Sequence, residues 1–122
     1  MVKKSLSVSI AVSVLLSACA TSSVSPLVGV DPALSGGQPW KFSAKESGTG
    51  ITDTIRVFVA DNNTETKLGA VTLSLMKSSD NINTTYKGKQ IQVQCRAVDT
   101  GGSTNDSCIV YIDGKRGPKL RL

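Results

Sequence analysis

The sequence predicts an all-β fold: a small antiparallel β-sandwich or barrel-like sheet of about five to six strands, closed by one disulfide. Three observations carry this expectation. Short runs alternate apolar and polar residues one by one, which is the period of a half-buried strand. Clusters of Gly, Asn, Asp and Ser separate these runs, and no long helical pattern interrupts them. Two cysteines, Cys95 and Cys108, fall in runs that a hairpin would bring face to face.

Taken in order, Trp40, Phe42 and Ala44 alternate with Lys41, Ser43 and Lys45 and make the first predicted strand. Ile55, Val57 and Val59 alternate with Thr54, Arg56 and Ala60, with Phe58 the exception on the polar side. Val71, Leu73 and Leu75 alternate with Thr72 and Ser74, and Ile91, Val93 and Cys95 with Gln90, Gln92, Gln94 and Arg96. Cys108, Val110 and Ile112 complete the fifth run. Turn-forming residues lie between: 46–50, 61–64, 78–83 and 100–105. Leu120 and Leu122 flank Arg121 after Asp113-Gly114 and Gly117-Pro118, which suits a short final strand.

The last long hairpin is the most constrained. Setting Cys95 opposite Cys108 puts Val93 opposite Val110 and Ile91 opposite Ile112, all on one face. A slip of one residue would turn one strand's apolar set outward, so disulfide and hydrophobic pattern demand the same register. Closing a loop of this length stabilises a chain by about 3 kcal/mol in the chain-entropy model. The spacing is unlike the Cys-x-x-Cys of redox-active pairs.

Composition narrows the function. The chain has 122 residues, 14 Lys+Arg against 9 Asp+Glu, three Cys and no His. That length holds one domain. Without His, triads and zinc sites that depend on imidazole are excluded.

The N-terminus forms a separate unit. Lys3 and Lys4 precede an apolar run over 6–16, which is shorter than the roughly 18–20 residues needed to cross a bilayer. It exits through Leu16-Ser17-Ala18-Cys19, which resembles the lipobox of bacterial lipoproteins. The resemblance covers about twenty residues and implies cleavage before Cys19, with diacylglyceryl and acyl chains such as palmitate on that residue. Ala20 stands where an Asp would imply inner-membrane retention, so the resemblance implies an outer-membrane anchor with the domain facing the periplasm; surface exposure is the other orientation it allows. No family resemblance is found for the mature domain.

The expected organisation is a signal peptide over 1–18, an acylated Cys and flexible tether over 19–38, and a β-rich domain over 39–122. The tether is rich in Ser, Pro, Gly and Ala, and a flexible chain of that length spans roughly 25 Å. Within it, Leu27, Val28, Val30 and Leu34 are apolar enough to dock on a partner or on the body. Removing Lys3 and Lys4 leaves 12 basic and 9 acidic side chains, a net +3. With one Trp and near-balanced charge, a nucleic-acid partner is not expected. Assigning Cys19 to the lipid leaves Cys95 and Cys108 as an even pair, which an oxidising compartment would join.

No catalytic constellation is visible. Ser and Thr lack a recognisable base, and no phosphate-cradling glycine motif occurs. No cofactor is expected. The loop at Asp61, Asn62 and Asn63 and the loop from Asp99 to Asp106 could offer oxygens to Ca²⁺ if they fell at one end of the sheet. The turn preference of Asp and Asn explains them without a metal, and no metal ligand is assigned. The most suggestive exposed feature is the basic tail. Lys115, Arg116, Lys119 and Arg121 carry essentially the whole mature net charge, with Lys87 and Lys89 as neighbours that extend it.

The sequence therefore leads to an outer-membrane lipoprotein that binds rather than catalyses. The expected role is a structural or accessory subunit of a cell-envelope assembly such as secretion, conjugation or pilus machinery, with an envelope protein as partner. The alternative is an inhibitor or phage-exclusion lipoprotein that blocks a hydrolase or a surface receptor. Replacing Cys19 by Ala should move the protein from the membrane to the soluble fraction of lysed cells; undiminished membrane attachment would contradict the lipid anchor.

Overall fold

The structure, a computed structural model, describes residues 21–48, 51–100 and 103–122. The lipobox and Cys19 lie outside the described residues. Among the described residues, nine strands and one short helix follow in the order β1 (Thr21–Val24), β2 (Val28–Gly29), α1 (Pro32–Ser35), β3 (Lys41–Gly48), β4 (Thr52–Asp61), β5 (Thr64–Ser74), β6 (Ser79–Tyr86), β7 (Lys89–Thr100), β8 (Ser103–Ile112) and β9 (Lys115–Arg121). They form two antiparallel sheets, one ordered β1-β3-β4-β5 with β2 also on β3, the other β6-β7-β8-β9. The fold is all-β and sandwich-like, as expected.

The inner faces are the alternating apolar positions. Phe42, Ala44, Ile55, Val57, Val59, Val71 and Leu73 come from the first sheet; Ile82, Ile91, Val93, Cys95, Cys108, Val110, Ile112 and Leu120 come from the second. Cys95 and Cys108 are bonded and face each other, with Val93 opposite Val110 and Ile91 opposite Ile112. Leu120 is fully buried opposite Cys108, so the end of β9 belongs to the core.

Three two-residue turns, Asn62-Asn63, Lys87-Gly88 and Asp113-Gly114, have positive φ at both positions. This is the backbone twist that matches tight hairpins. All three lie at one end of the sandwich, because Lys87 reaches Asp61 and Asp113 reaches Lys89 and Gln90. Gly48 and Asp53, paired across β3 and β4, and Thr100 and Ser103, paired across β7 and β8, lie at the other end.

Two bulges redirect side chains. Between Val57 and Phe58 the β4–β5 register shifts, leaving Leu68 as the extra residue. This sets Gly69 on the inner face opposite Val57, where a Cβ would come within 2.7 Å of Ile82 Cγ2. The missing side chain lets β6 approach. On β9, Gly117 and Pro118 together oppose the single residue Val110. Pro118 has no N–H to give a ladder, and a Cβ on Gly117 would sit 2.9 Å from the Val110 carbonyl oxygen, so both residue types suit the bulge.

Three segments differ from expectation. Residues 21–35 do not hang free: β1 and β2 share one edge of β3, and Val28, Val30 and Leu34 pack against the core. Pro26 cannot continue the ladder, and Ser25 compensates, its N–H donating to the Ala44 carbonyl at 2.9 Å and its Oγ accepting from the Ala44 N–H at 2.8 Å. Asp31 caps α1 through the Ala33 N–H, Pro32 takes the first turn, and Gly36 ends it in the left-handed region. Second, 78–83 is largely strand: β6 holds Ile82 as its buried aliphatic residue, too little apolar content to alternate visibly. Third, Leu75 is not on an inner face. β5 ends at Ser74, whose N–H and C=O both bond to Lys77, and Leu75 and Met76 project from that turn.

Candidate functional site

The outer face of the second sheet is built by the same alternation that fills the core. On β6 it carries Ser79, Asn81, Asn83 and Thr85, and on β7 Gln90, Gln92, Gln94 and Arg96. On β8 it carries Ser107, Ile109 and Tyr111. The β9 bulge then decides which basic residues join them. Arg116 pairs with Tyr111, whereas Lys119 pairs with Ile109 and Arg121 with Ser107. Without the extra residue, Lys119 would pair with Cys108 and point inward. The bulge thus sends Leu120 into the core and gathers Arg116, Lys119 and Arg121 on one surface. Lys115, opposite Ile112 beside the turn, is exposed as well.

Charge on this face has one sign. Arg96, Arg116, Lys119 and Arg121 are exposed, and none of the positions named above is acidic. None of the four basic residues of β9 makes an ion pair among the described residues. Two depressions of about 370 Å³ each lie along the β6–β7 side, one lined by Asn83, Thr85, Gln90 and Gln92, the other by Asn81, Gln94 and Arg96. Neither contains a carboxylate. Amide and guanidinium groups supply hydrogen-bond donors there, and no nucleophile–base pair occurs in either.

At the tight-turn end, Asp61 is buried and serves structure. Its Oδ2 accepts from Lys87 Nζ at 2.5 Å and from Tyr86 Oη at 3.0 Å. The Tyr86 ring meets Trp40 edge-on, with centroids 5.1 Å apart, and the buried Trp40 indole N–H makes no hydrogen bond among the described residues. Lys87 first, with help from Tyr86, holds the Asp61 carboxyl below the usual carboxylate range against the opposing effect of burial. Lys87 is correspondingly raised by Asp61. Lys87 is thus neutralised locally, and Lys89 pairs with Asp113 at 3.4 Å, so neither extends the basic patch as the sequence suggested.

The two acidic loops do not converge. Asp61 lies at the tight-turn end and Asp106 at the opposite end, a strand's length away along β7 and β8. Asp106 instead approaches Glu46 and Asp53, a grouping with no trace in the sequence because the three are far apart in the chain. No described helix is long and apolar enough to cross a membrane. Comparison with protein-family models, curated proteins and solved structures finds no match.

Because Asp61 has a depressed pKa in the folded state, its contribution to stability is present above the unfolded carboxyl value of about 3.9 and is lost as pH falls through the lower folded value. The melting temperature of Asp61→Asn should therefore lie below that of the parent by a constant margin from pH 8 to about 5, and the margin should close below about pH 4. Melting curves across that range check it, and a margin independent of pH would contradict the ionised pairing.

Proposed function

We propose that this protein is a lipid-anchored, non-catalytic binding subunit of a cell-envelope assembly, carried at the outer membrane by Cys19 with its β-sandwich facing the periplasm. The lipobox resemblance supports the anchor. The disulfide supports an oxidising compartment, since such bonds persist there and are rare in reducing ones. A role in secretion, conjugation or pilus machinery fits a small domain that presents a surface and holds no catalytic constellation among the described residues.

The observation that carries the binding role is the outer face of the second sheet, where a β-bulge aligns Arg116, Lys119 and Arg121 beside a field of Asn and Gln with no acidic residue among them. A single-signed polar face steers an oppositely charged partner and rejects like-charged ones. The expected partner surface is the acidic face of another envelope protein. β1 begins at Thr21 and pairs along β3, which supports an anchor at Cys19 that would hold the sandwich close to the lipid rather than at the end of a long tether.

Replacing Lys115, Arg116, Lys119 and Arg121 by Gln should abolish most crosslinks to the partner in intact envelopes while leaving the circular dichroism spectrum unchanged. Parent crosslinks should also fall as ionic strength rises. Unaltered crosslinking by the variant would remove this face from the reading.

A further inference from the structure

We propose that Glu46, Asp53 and Asp106 bind a Ca²⁺ ion between the two sheets, at the end of the sandwich opposite the tight turns. One carboxylate oxygen from each residue lies within 4.8 Å of those of the other two. They come from both layers: Glu46 is on β3 opposite Ile55, Asp53 on β4 opposite Gly48, and Asp106 on β8, two residues before the disulfide. All three occupy inward-facing positions, where the alternation elsewhere places aliphatic side chains.

Two oxygens of the cluster are buried without a hydrogen-bond partner among the described residues. Asp106 is only 4 % exposed, and its Oδ1 has no hydrogen-bond partner among the described residues. Glu46 Oε2 is buried without a partner as well, although Oε1 accepts from Ser23 Oγ at 3.1 Å. Buried polar atoms of this kind are nearly always satisfied in folded proteins, by protein, water or an ion. The four ion pairs among the described residues involve Glu65, Asp80, Asp61 and Asp113, so no Lys or Arg neutralises this cluster there.

Gly48 makes room for the cluster, because a Cβ at that position would occupy the place of Asp53 Oδ1. Three hard oxygen donors with no nitrogen or sulfur among them suit Ca²⁺. Mg²⁺ keeps most of its water and is usually held by one or two carboxylates, which fits three converging ones less well. Oxygens around one Ca²⁺ stand up to about 5 Å apart, twice its bond length, as these do. Water would complete the shell, and the ion would join β3 and β4 of one sheet to β8 of the other.

The test uses the detergent-solubilised full chain, stripped with EDTA, then titrated with CaCl2 by calorimetry and followed by thermal unfolding. The proposal expects saturable one-site binding with a dissociation constant on the order of 10⁻⁴–10⁻³ M, as in extracellular calcium modules. It also expects a melting temperature raised by roughly 5–10 °C at ten times that concentration. Asp53→Asn and Asp106→Asn should each weaken binding by about tenfold or more, and Glu46→Gln offers a milder change if either folds poorly. Absence of saturable heat in the parent protein overturns the site, whatever the variants do. An equal response in the variants assigns the effect to ionic screening and also overturns it. A response to MgCl2 equal to that to CaCl2 overturns the assignment to Ca²⁺.

Discussion

The register of the β7–β8 hairpin is the constraint on which the rest of the molecule depends. Cys95 and Cys108 face each other with Cα atoms 4.0 Å apart, the close approach of a pair that exchanges no backbone hydrogen bonds. Every second residue from there then points the same way, which buries Val93, Val110, Ile91 and Ile112 together. The opposite parity makes the outer surface, so choosing the core also chooses Gln92, Gln94, Ile109 and Tyr111 as the outer residues of these strands. β6 and β9 add to the two sides of this hairpin and take their facing from it.

Where strict alternation would fail, the chain uses small or donor-free residues to change parity. Gly117 and Pro118 absorb one residue on β9, and Leu120 reaches the core while three basic side chains share the outer face. Leu68 absorbs one on β5, and Gly69 yields space to Ile82. These bulges link packing to function: the one on β9 makes the same backbone detour serve the core and the charged surface. The two ends of the sandwich are then closed by different chemistry, an ion-paired Asp61–Tyr86–Lys87 group at one and three mutually close carboxylates at the other.

Much of the core was legible because alternation is a local signal. Phe42, Ala44, Ile55, Val57, Val59, Val71 and Leu73, and the whole facing set of β7 and β8, follow from period two and the cysteine positions. β6 was not legible, since Asp80, Asn81 and Asn83 read as a turn and their strand forms by pairing with β7. Residues 21–35 carry linker composition, yet Asp31, Pro32 and Gly36 are helix punctuation, and Ser25 substitutes for the ladder at Pro26. The basic tail stood out as charge, but its alignment depended on a bulge that alternation alone would miss. The Glu46–Asp53–Asp106 group has no sequence signal because it is a product of two sheets meeting, and Lys87 and Lys89 stand apart from the patch because Asp61 and Asp113, distant in sequence, pair with them.

The hydrophobic pattern and the disulfide each specify the same register, independently of one another. Cross-strand proton contacts in the Cys95→Ala/Cys108→Ala protein, observed by NMR, test it most directly. Close Hα–Hα contacts between Val93 and Val110 and between Ile91 and Ile112 are expected, as in the oxidised parent. Contacts displaced by one residue, or none in a protein that still forms β-structure, would show instead that the disulfide alone sets the register.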